Sequence, residues 1–351
     1  MPTSRRFVLY GAYGFTGRLL VEEAVRRGHR PILAGRSREK LGPIAETHGL
    51  EAVAVSLDDR DELERLVGRA RLVIHAAGPF TETSEPMVRA CLAQRAHYLD
   101  ITGELAVLRA SFAHDRRARE ARVAVMSGVG FDVVPSDCLA LHVARRIERP
   151  SRLRIAIAGV PSPSAGTAKS ALGAIRAGGA VRRHGEIVEA PLFGDALEVA
   201  FGDRPRSVVP APLGDLETAH RSTGIQDIET YLAQPRATVA AFRAMGPLLL
   251  RAVERPAWRD RVFRLIDARA HGPSEVALAN ERSHVWAQAT NARGDRAESW
   301  LEGPEVYAWT ARLAWDCAEA VLKRQIVGAL SPAQAFGADF VLGEGVTRGD
   351  R

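Results

Sequence analysis

A glycine-rich turn near the start of the chain is the feature that most restricts its fold. It runs Gly11-Ala-Tyr13-Gly14-Phe15-Thr16-Gly17, after the apolar run Phe7-Val-Leu-Tyr10 and before an amphipathic segment. Between a strand and a helix, such glycines allow a tight turn, approach to a pyrophosphate and close helix packing. The N–H groups and dipole of the helix N-terminus then favour phosphate. We therefore predict a dinucleotide site; the alternative is a turn with only a structural role.

The residues after the second predicted strand indicate which dinucleotide is bound. That strand is expected at 31–34, and an NAD site usually has an acidic residue at its end to hold the ribose 2′-hydroxyl. The chain instead continues Gly35-Arg36-Ser37-Arg38-Glu39-Lys40. The Arg36 guanidinium can pair with a 2′-phosphate, and Ser37 can donate to that group and cap the next helix. This pattern favours NADP(H); the alternative is a solvated basic helix start.

Composition argues against several other classes of protein. The 351 residues suffice for two domains with a sizeable core. The three cysteines, Cys91, Cys138 and Cys317, are too few and too widely spaced for a disulfide framework or a zinc site. The net charge is +6, but the basic residues are scattered along the chain and mixed with acidic ones. This pattern argues against a nucleic-acid partner.

Hydropathy along the chain gives an expectation about location. No apolar run reaches the roughly 20 residues that a membrane helix requires. The first residues, Met-Pro-Thr-Ser-Arg-Arg, lead directly into a predicted strand rather than into a signal peptide. We therefore expect a cytoplasmic protein without an integral membrane segment.

The order of predicted elements indicates an α/β fold with a doubly wound parallel Rossmann sheet. Strands are expected at 7–10, 31–34, 52–55, 72–76, 97–101 and 123–126. Helices alternate with them, starting near residues 15, 37, 59, 83 and 104. We assign residues 1–130 to the dinucleotide-binding domain. The alternation of strands and helices ends there, although a further helix is predicted from Pro135 to about Glu148.

The rest of the chain is expected to form an α+β substrate domain over 131–303 and a helical segment over 304–351 that packs back on the first domain. Strands are predicted at 152–159 and 182–188, a helix at 166–177, and a hairpin around 293–295. A helix at 236–255, interrupted at Gly246-Pro247, is predicted to line an apolar cleft, contact a membrane surface or pack in the core.

Two further strand ends are candidate cofactor contacts. In an open parallel sheet, ligands bind beyond the carboxyl ends of the strands. Ala77, Gly78, Pro79 and Phe80 follow the fourth strand and are predicted to lie near the nicotinamide; the alternative is a plain strand-to-helix turn. Asp58 follows the third strand, where it can meet adenine or cap the next helix.

A reduction needs a proton donor beside the hydride, and the fifth strand end offers three. Tyr98, Asp100 and Glu104 are the candidates. The alternative is structural: Asp100 caps a helix, Glu104 lies in its first turn, and Tyr98 is in the core. Asp132 is a further acid at the sixth strand end, and His75 is expected in the core. No tyrosine stands four residues before a lysine, which excludes the short-chain dehydrogenase dyad, and no cluster has metal-ligand spacing.

Several stretches together resemble saccharopine dehydrogenase-like oxidoreductases, closest to the trans-acting enoyl reductase branch. They are the glycine turn, 34–36, 76–80, 98–104, 130–137, Gly166-Thr-Ala168, 222–225 and 332–339. The resemblance implies an NADP-binding domain and a second α/β domain. It also implies that Gly11, Gly14, Phe15, Thr16 and Gly17 hold the phosphates, Arg36 holds the 2′-phosphate, and residues 77–79 face the cofactor.

The sequence therefore predicts an NADP(H)-dependent oxidoreductase that delivers hydride to a C=C bond of an enoyl, lipid or polyketide-like substrate, or to a C=N bond. The expected partner is a small-molecule or acyl substrate, without nucleic acid or metal. Peripheral membrane contact and a homodimer stay open. The alternative function is a non-catalytic NADP(H) sensor or scaffold, which keeps the glycine turn but needs no proton donor.

Overall fold

The computed structural model describes residues 7–159, 162–235, 237–240 and 255–351. These residues divide into two compact units. Unit 1 consists of the described residues up to Val134 together with Tyr307–Phe336. Unit 2 consists of the described residues of Pro135–Val306 together with Gly337–Arg351.

The strands and helices have the following bounds. The strands are β1 (Phe7–Tyr10), β2 (Ile32–Gly35), β3 (Ala52–Ala54), β4 (Leu72–His75), β5 (His97–Asp100), β6 (Ala124–Met126), β7 (Arg152–Ala158), β8 (Gly179–Arg183), β9 (Glu186–Ala190), β10 (Leu197–Ala200), β11 (Pro205–Pro210), β12 (Asp227–Ala233), β13 (Ser283–Thr290), β14 (Arg296–Gly303), β15 (Gly328–Ala329) and β16 (Thr347–Asp350). The helices are α1 (Phe15–Arg26), α2 (Arg38–His48), α3 (Arg60–Val67), α4 (Phe80–Gln94), α5 (Leu105–Ala113), α6 (Asp115–Ala121), α7 (Val134–Ala144), α8 (Ala165–Ala177), α9 (Asp215–Thr223), α10 (Pro256–Arg269), α11 (Glu275–Asn280), α12 (Val306–Arg324) and α13 (Pro332–Phe336).

Unit 1 is built on a parallel sheet, as the alternating pattern predicts. Its strand order is β15-β6-β5-β4-β1-β2-β3. Every pair is parallel, and β1 lies between β2 and β4. The chain order reverses across β1, which makes the carboxyl ends of β1 and β4 the place where such sheets bind ligands. The central strands β1, β2 and β4 are buried along their whole length, as expected for a sheet with helices on both faces.

Helix ends in unit 1 follow local chemistry. The Ser37 side chain accepts from the Lys40 N–H at the start of α2, and that helix ends at Gly49 in the left-handed conformation. α4 begins at Phe80 rather than near the predicted residue 83. The helix starts earlier because Pro79 is extended and forms its N-cap, which also places the 76–80 segment directly at the helix N-terminus.

Unit 2 contains a mixed sheet, as expected for the α+β domain. Its main path is β10-β11-β12-β7-β13-β14-β16, in which β7 and β12 are parallel and the other neighbours antiparallel. The predicted hairpin is confirmed by pairing of Thr290 with Arg296. The single strand predicted at 182–188 is wrong: β8 and β9 form a hairpin there, because His184 and Gly185 both have positive φ and turn the chain.

The predicted C-terminal segment, 304–351, is divided between the two units. α12, from Tyr307 onward, β15 and α13 lie in unit 1, where β15 pairs with β6. Residues from Gly337 lie in unit 2, because β16 adds to the edge of its sheet beside β14. Most of the helix predicted at 236–255, including Gly246-Pro247, lies outside the described residues. None of the described helices is both long and apolar enough to span a bilayer.

Candidate cofactor and proton-donor site

The glycine turn connects β1 to α1 as predicted. The Gly11 N–H donates to the Ala34 oxygen on β2 (2.8 Å). Gly11 has a φ of +89°, and a Cβ there would lie 2.7 Å from the Ala76 carbonyl carbon. A Cβ on Gly17 would overlap the Gly11 carbonyl oxygen. Glycine at 11 and 17 therefore allows the turn and the close approach of α1 to β1.

Gly14 has a different role, because a side chain there would meet one backbone atom and no backbone overlap like that at Gly17. It is the N-cap of α1, in an extended conformation, and the nearest atom to a Cβ there would be the Gly11 oxygen at 3.3 Å. In the part of the chain that the structure describes, no side chain caps α1 and its first turn has no acidic residue, whereas Ser37 and Asp59 cap α2 and α3. The N–H groups of residues 15–17 are thus left for an anion, which fits a pyrophosphate.

Two aromatic residues of the turn are packed in defined positions. The Phe15 ring lies edge-on to Tyr307, with centroids 5.0 Å apart. The Tyr13 ring covers the end of β2, where a Cβ on Gly35 would lie 2.6 Å from its Cε1. The Lys40 ammonium lies 5.8 Å from the centre of the Tyr13 ring. Sequence reasoning missed the need for Gly35; its signal is a glycine at the end of a buried strand, where a side chain must be accommodated.

The predicted 2′-phosphate residues lie beside this ring at the end of β2. Arg36 is exposed, and in the described part of the chain its guanidinium has no carboxylate within ion-pair distance. The Ser37 Oγ accepts from the Lys40 N–H (3.3 Å), so its predicted capping role is confirmed. An exposed guanidinium at this strand end fits a 2′-phosphate.

Asp58 does not cap the helix that follows β3. Its exposed carboxylate accepts from the Ser56 hydroxyl (3.2 Å). The capping alternative is wrong, because Asp59 supplies the cap by accepting from the Glu62 N–H (3.0 Å). Nearby, the Tyr10 hydroxyl donates to the Val55 oxygen (2.9 Å), and burial raises the pKa of Tyr10 to about 12. A contact of Asp58 with adenine stays a prediction.

The segment after β4 is held by Glu104. The Gly78-Pro79 peptide is cis, and α4 begins at the next residue. One Glu104 oxygen accepts from the Phe80 N–H and the other from the Thr81 N–H, both at 3.1 Å. Glu104 is the N-cap of α5 rather than a first-turn residue, and its carboxylate caps α4 instead. This carboxylate therefore fixes the segment predicted to face the nicotinamide.

Tyr98 and Asp100 form a buried network at the ends of β5 and β6. Asp100 Oδ2 accepts from the Tyr98 hydroxyl (2.8 Å) and the Ser127 hydroxyl (2.7 Å). Its Oδ1 accepts from the N–H groups of Thr102 (3.0 Å) and Gly128 (3.1 Å). Burial raises the pKa of Asp100, although these donors oppose the shift. The contacts favour a structural role, while assignment of Tyr98, Asp100 or Glu104 as the proton donor stays a prediction.

His75 completes this network, as expected for a core histidine. It is fully buried, with Nδ1 3.2 Å from the Tyr98 hydroxyl oxygen. Because the Tyr98 hydrogen is directed to Asp100, the ring can donate to that oxygen. Burial lowers the pKa of His75 to about 3, so the ring is neutral at physiological pH.

Asp132 lies in the loop between β6 and α7 and is partly exposed. A Cβ placed on Gly103 would lie 3.0 Å from both the Asp132 Cβ and Oδ2, so the glycine makes room for this side chain. Burial raises the pKa of Asp132 to about 6. The loops after β5 and β6 therefore meet at Gly103 and Asp132, next to Glu104 in the chain.

Comparison with known proteins identifies the N-terminal region. Residues 7–126 match the family model described as the saccharopine dehydrogenase NADP binding domain. This part of unit 1 is therefore similar to the NADP binding domain of saccharopine dehydrogenases. The predicted resemblance and the predicted cofactor are confirmed by this match. The NADP-binding domain contains the glycine turn, Arg36, the 76–80 segment and the Tyr98–Asp100 network.

The relatives are reductases by name and match in part of their length. The chain is 36% identical over 158 residues to a trans-acting enoyl reductase of Mycobacterium leprae, covering 42% of this chain and 37% of that protein. It is 36% identical over 149 residues to one of Mycobacterium ulcerans, covering 40% and 35%. The alignments thus span little more than a third of the length of these relatives.

A solved structure resembles the fold over almost the whole chain. Apo saccharopine dehydrogenase (L-Glu forming) from Saccharomyces cerevisiae matches with a TM-score of 0.68 at 15% identity. The match covers 99% of this chain and 100% of that one. At this identity the likeness establishes the fold alone: a parallel sheet in one unit and a mixed sheet in the other.

Proposed function

We propose that the protein is an NADP(H)-dependent reductase that delivers hydride to a C=C bond of an enoyl substrate, such as an acyl thioester, or to a C=N bond. The observation that carries the proposal is the uncapped glycine turn at the N-terminus of α1, in a domain of NADP-binding type. The enoyl class is favoured over the imine class because relatives aligned over the NADP-binding domain are named enoyl reductases.

The chain's residues would hold the cofactor at three points. The N–H groups at the start of α1 would bind the pyrophosphate, Arg36 the 2′-phosphate, and residues 77–79 the nicotinamide end. When bound, NADPH supplies the hydride. Glu104 contributes by fixing the start of α4, since its carboxylate accepts from two N–H groups there.

Arg36→Ala tests the cofactor site. Loss of one charge-assisted contact costs roughly 1.5–3 kcal/mol, or about 10- to 100-fold in affinity. We expect calorimetry to show that loss for NADPH and almost none for NADH. Arg65→Ala, on the exposed face of α3, is the control and should bind both cofactors like the wild type. An equal loss for both cofactors in Arg36→Ala would contradict the assignment.

Substrate class is tested by oxidation of NADPH in the presence of 2-enoyl thioesters and, separately, cyclic imines. The proposal expects stoichiometric NADPH loss and a saturated product from the enoyl compounds. Reduction of imines alone would select the C=N alternative. Binding of NADPH without turnover in either series would instead support a sensor or scaffold.

A further inference from the structure

We propose that Asp132 is the proton donor of this site, protonating the substrate as hydride is delivered. The inference rests on the proposed reductase function. The proton donor is thus assigned to an acid on the loop after β6, instead of to one of the three candidates at the end of the fifth strand. The carboxylate of this acid is available to a ligand.

The backbone that carries Asp132 is held firmly. The Phe131 N–H donates to the Thr310 Oγ1 on α12 (3.1 Å), and the Val134 N–H donates to the Gly130 oxygen (2.9 Å). A Cβ on Gly130 would lie 2.9 Å from the Thr310 Cγ2, so this loop lies close against α12. The position of Asp132 is therefore fixed by its neighbours and does not depend on contacts of its own carboxylate.

The carboxylate itself is uncommitted. Within the described residues, the Asp100 carboxylate accepts from four donors and the Glu104 carboxylate from the Phe80 and Thr81 N–H groups, whereas Asp132 accepts from none. It also does not cap α7, which starts two residues later. Its side chain lies over Gly103, next to the residue that fixes the nicotinamide-facing segment. An acid in this place can approach a substrate without breaking an internal contact.

Its protonation state suits a donor. Burial raises the pKa of the Asp132 carboxyl to about 6. In the described part of the chain, burial is the single cause of this rise. On the loop after β5, Gly103 lies against Asp132, and the next residue, Glu104, is charged. The Glu104 carboxylate is turned away to the N-terminus of α4. On the α12 side, Thr310 presents an uncharged hydroxyl. A substantial protonated fraction is therefore present near neutral pH.

The proton transfer balances the hydride. Hydride adds to one carbon of the double bond, and the electron pair of that bond moves to the other end. The O–H bond of Asp132 breaks, and its proton bonds to the α-carbon of the enoyl group or to the nitrogen of an imine. The substrate is reduced, NADP⁺ is the oxidised product, and the Asp132 carboxylate regains a proton from water.

The first test observes the carboxyl directly. Protein with ¹³C-labelled aspartate is titrated by NMR, and the resonance absent from Asp132→Asn is that of Asp132. We expect a midpoint near pH 6, against about 3.9 for an ordinary aspartate, and a shift of the resonance when NADP⁺ is added. An ordinary midpoint with no response to NADP⁺ overturns the proposal.

The second test follows the reaction with NADPH and a 2-enoyl thioester. Asp132→Asn should bind NADPH normally but react about 10²- to 10⁴-fold more slowly, and Asp132→Glu should recover part of the rate. The wild-type rate should fall as pH rises above about 6, because the protonated form is needed, while the residual rate of Asp132→Asn should not. Asp61→Asn, an exposed carboxylate on α3, is the control.

The outcomes separate the two proposals. A wild-type protein that reduces the thioester while Asp132→Asn keeps its rate and pH profile overturns the role of Asp132 and leaves the proposed function standing. A wild-type protein that binds NADPH but reduces neither enoyl thioesters nor imines overturns the proposed function, and this inference with it.

Discussion

Asp100 and Asp132 are identical side chains whose neighbours differ in the hydrogen bonds that they donate. Asp100 is fully buried and accepts four hydrogen bonds, which join the ends of β5 and β6. Asp132 is partly exposed and accepts none within the described residues, so burial acts on its pKa without opposition. At the residue scale, we propose that the donors around Asp100 suit a structural role, while their absence around Asp132 among the described residues suits proton exchange.

Asp132→Asn should stabilise the protein at neutral pH. A folded-state pKa of about 6 exceeds the unfolded value of 3.8, so the protonated form is favoured by folding. The resulting stability is complete below about pH 4 and is lost as pH rises through about 6. The variant should therefore gain at most about 3 kcal/mol at pH 7 and progressively less toward pH 4.5. Urea unfolding across this range measures the gain, and a pH-independent difference would contradict the shift.

Gly14→Val and Gly17→Ala should fail in different ways. At Gly14 the backbone suits an L-residue and a Cβ would press only on the Gly11 oxygen, at 3.3 Å, so the valine variant should fold but lose both NADPH and NADH. At Gly17 a Cβ overlaps the Gly11 oxygen, so α1 must shift, and we expect a loss of about 1–3 kcal/mol or more. Circular dichroism with calorimetry separates the two effects. Normal cofactor affinity in Gly14→Val would mean that the turn binds no pyrophosphate.

At the scale of elements, α4 depends on a cap from a distant part of the chain. Glu104 stands 24 residues after Phe80 and accepts from the first N–H groups of the helix. A carboxylate also suits the positive end of the helix dipole. The start of α4 is thereby tied to the start of α5.

Glu104→Ala should cost about 1–2 kcal/mol of unfolding free energy, the range for lost helix caps. Glu104→Gln keeps one acceptor oxygen and should lose less. Urea unfolding gives the two values, and Glu39→Ala, an exposed first-turn residue of α2, serves as the control. If Glu104→Ala is as stable as the wild type, the Glu104 carboxylate does not stabilise the start of α4.

The elements also show what the sequence could predict. Alternating apolar runs predicted the parallel sheet, because strands buried on both faces need continuous apolar residues. The glycine turn and the Ser37 cap followed from local chemistry. The hairpin at 184–185 was missed because Arg182 and Ile187 belong to a run that resembles one strand. The Glu104 cap and the Phe131–Thr310 bond join residues 24 and 179 positions apart, and local patterns carry no signal for such pairs.

At the scale of the whole molecule, the main feature is that the segment Tyr307–Phe336 returns to unit 1 after the chain has formed most of unit 2. Trp315 on α12 is fully buried, donates to the Leu20 oxygen (2.9 Å) and lies edge-on to Phe7 with ring centroids 5.0 Å apart. Arg27 forms an ion pair with Asp316 (2.8 Å). Residues more than 280 positions from the first strand thus form part of the NADP-binding unit.

Trp315→Ala should destabilise unit 1 by about 3–5 kcal/mol, the range for large aromatic residues removed from a core. Trp258→Ala is the matched control, because that side chain is 48% exposed. Thermal unfolding with and without NADPH should show a lower midpoint and weaker ligand stabilisation in Trp315→Ala alone. Similar losses in both variants would contradict an integral role of α12.

The discontinuous unit 1 also sets the order of events during synthesis. A ribosome makes β1 to β6 first, then the strands of unit 2 up to β14, and only afterwards α12 and β15. Until that point the edge of β6 that receives β15 is unpaired and the pocket for Trp315 is empty. The nascent NADP-binding region therefore emerges incomplete and gains its last strand after most of unit 2 has been translated.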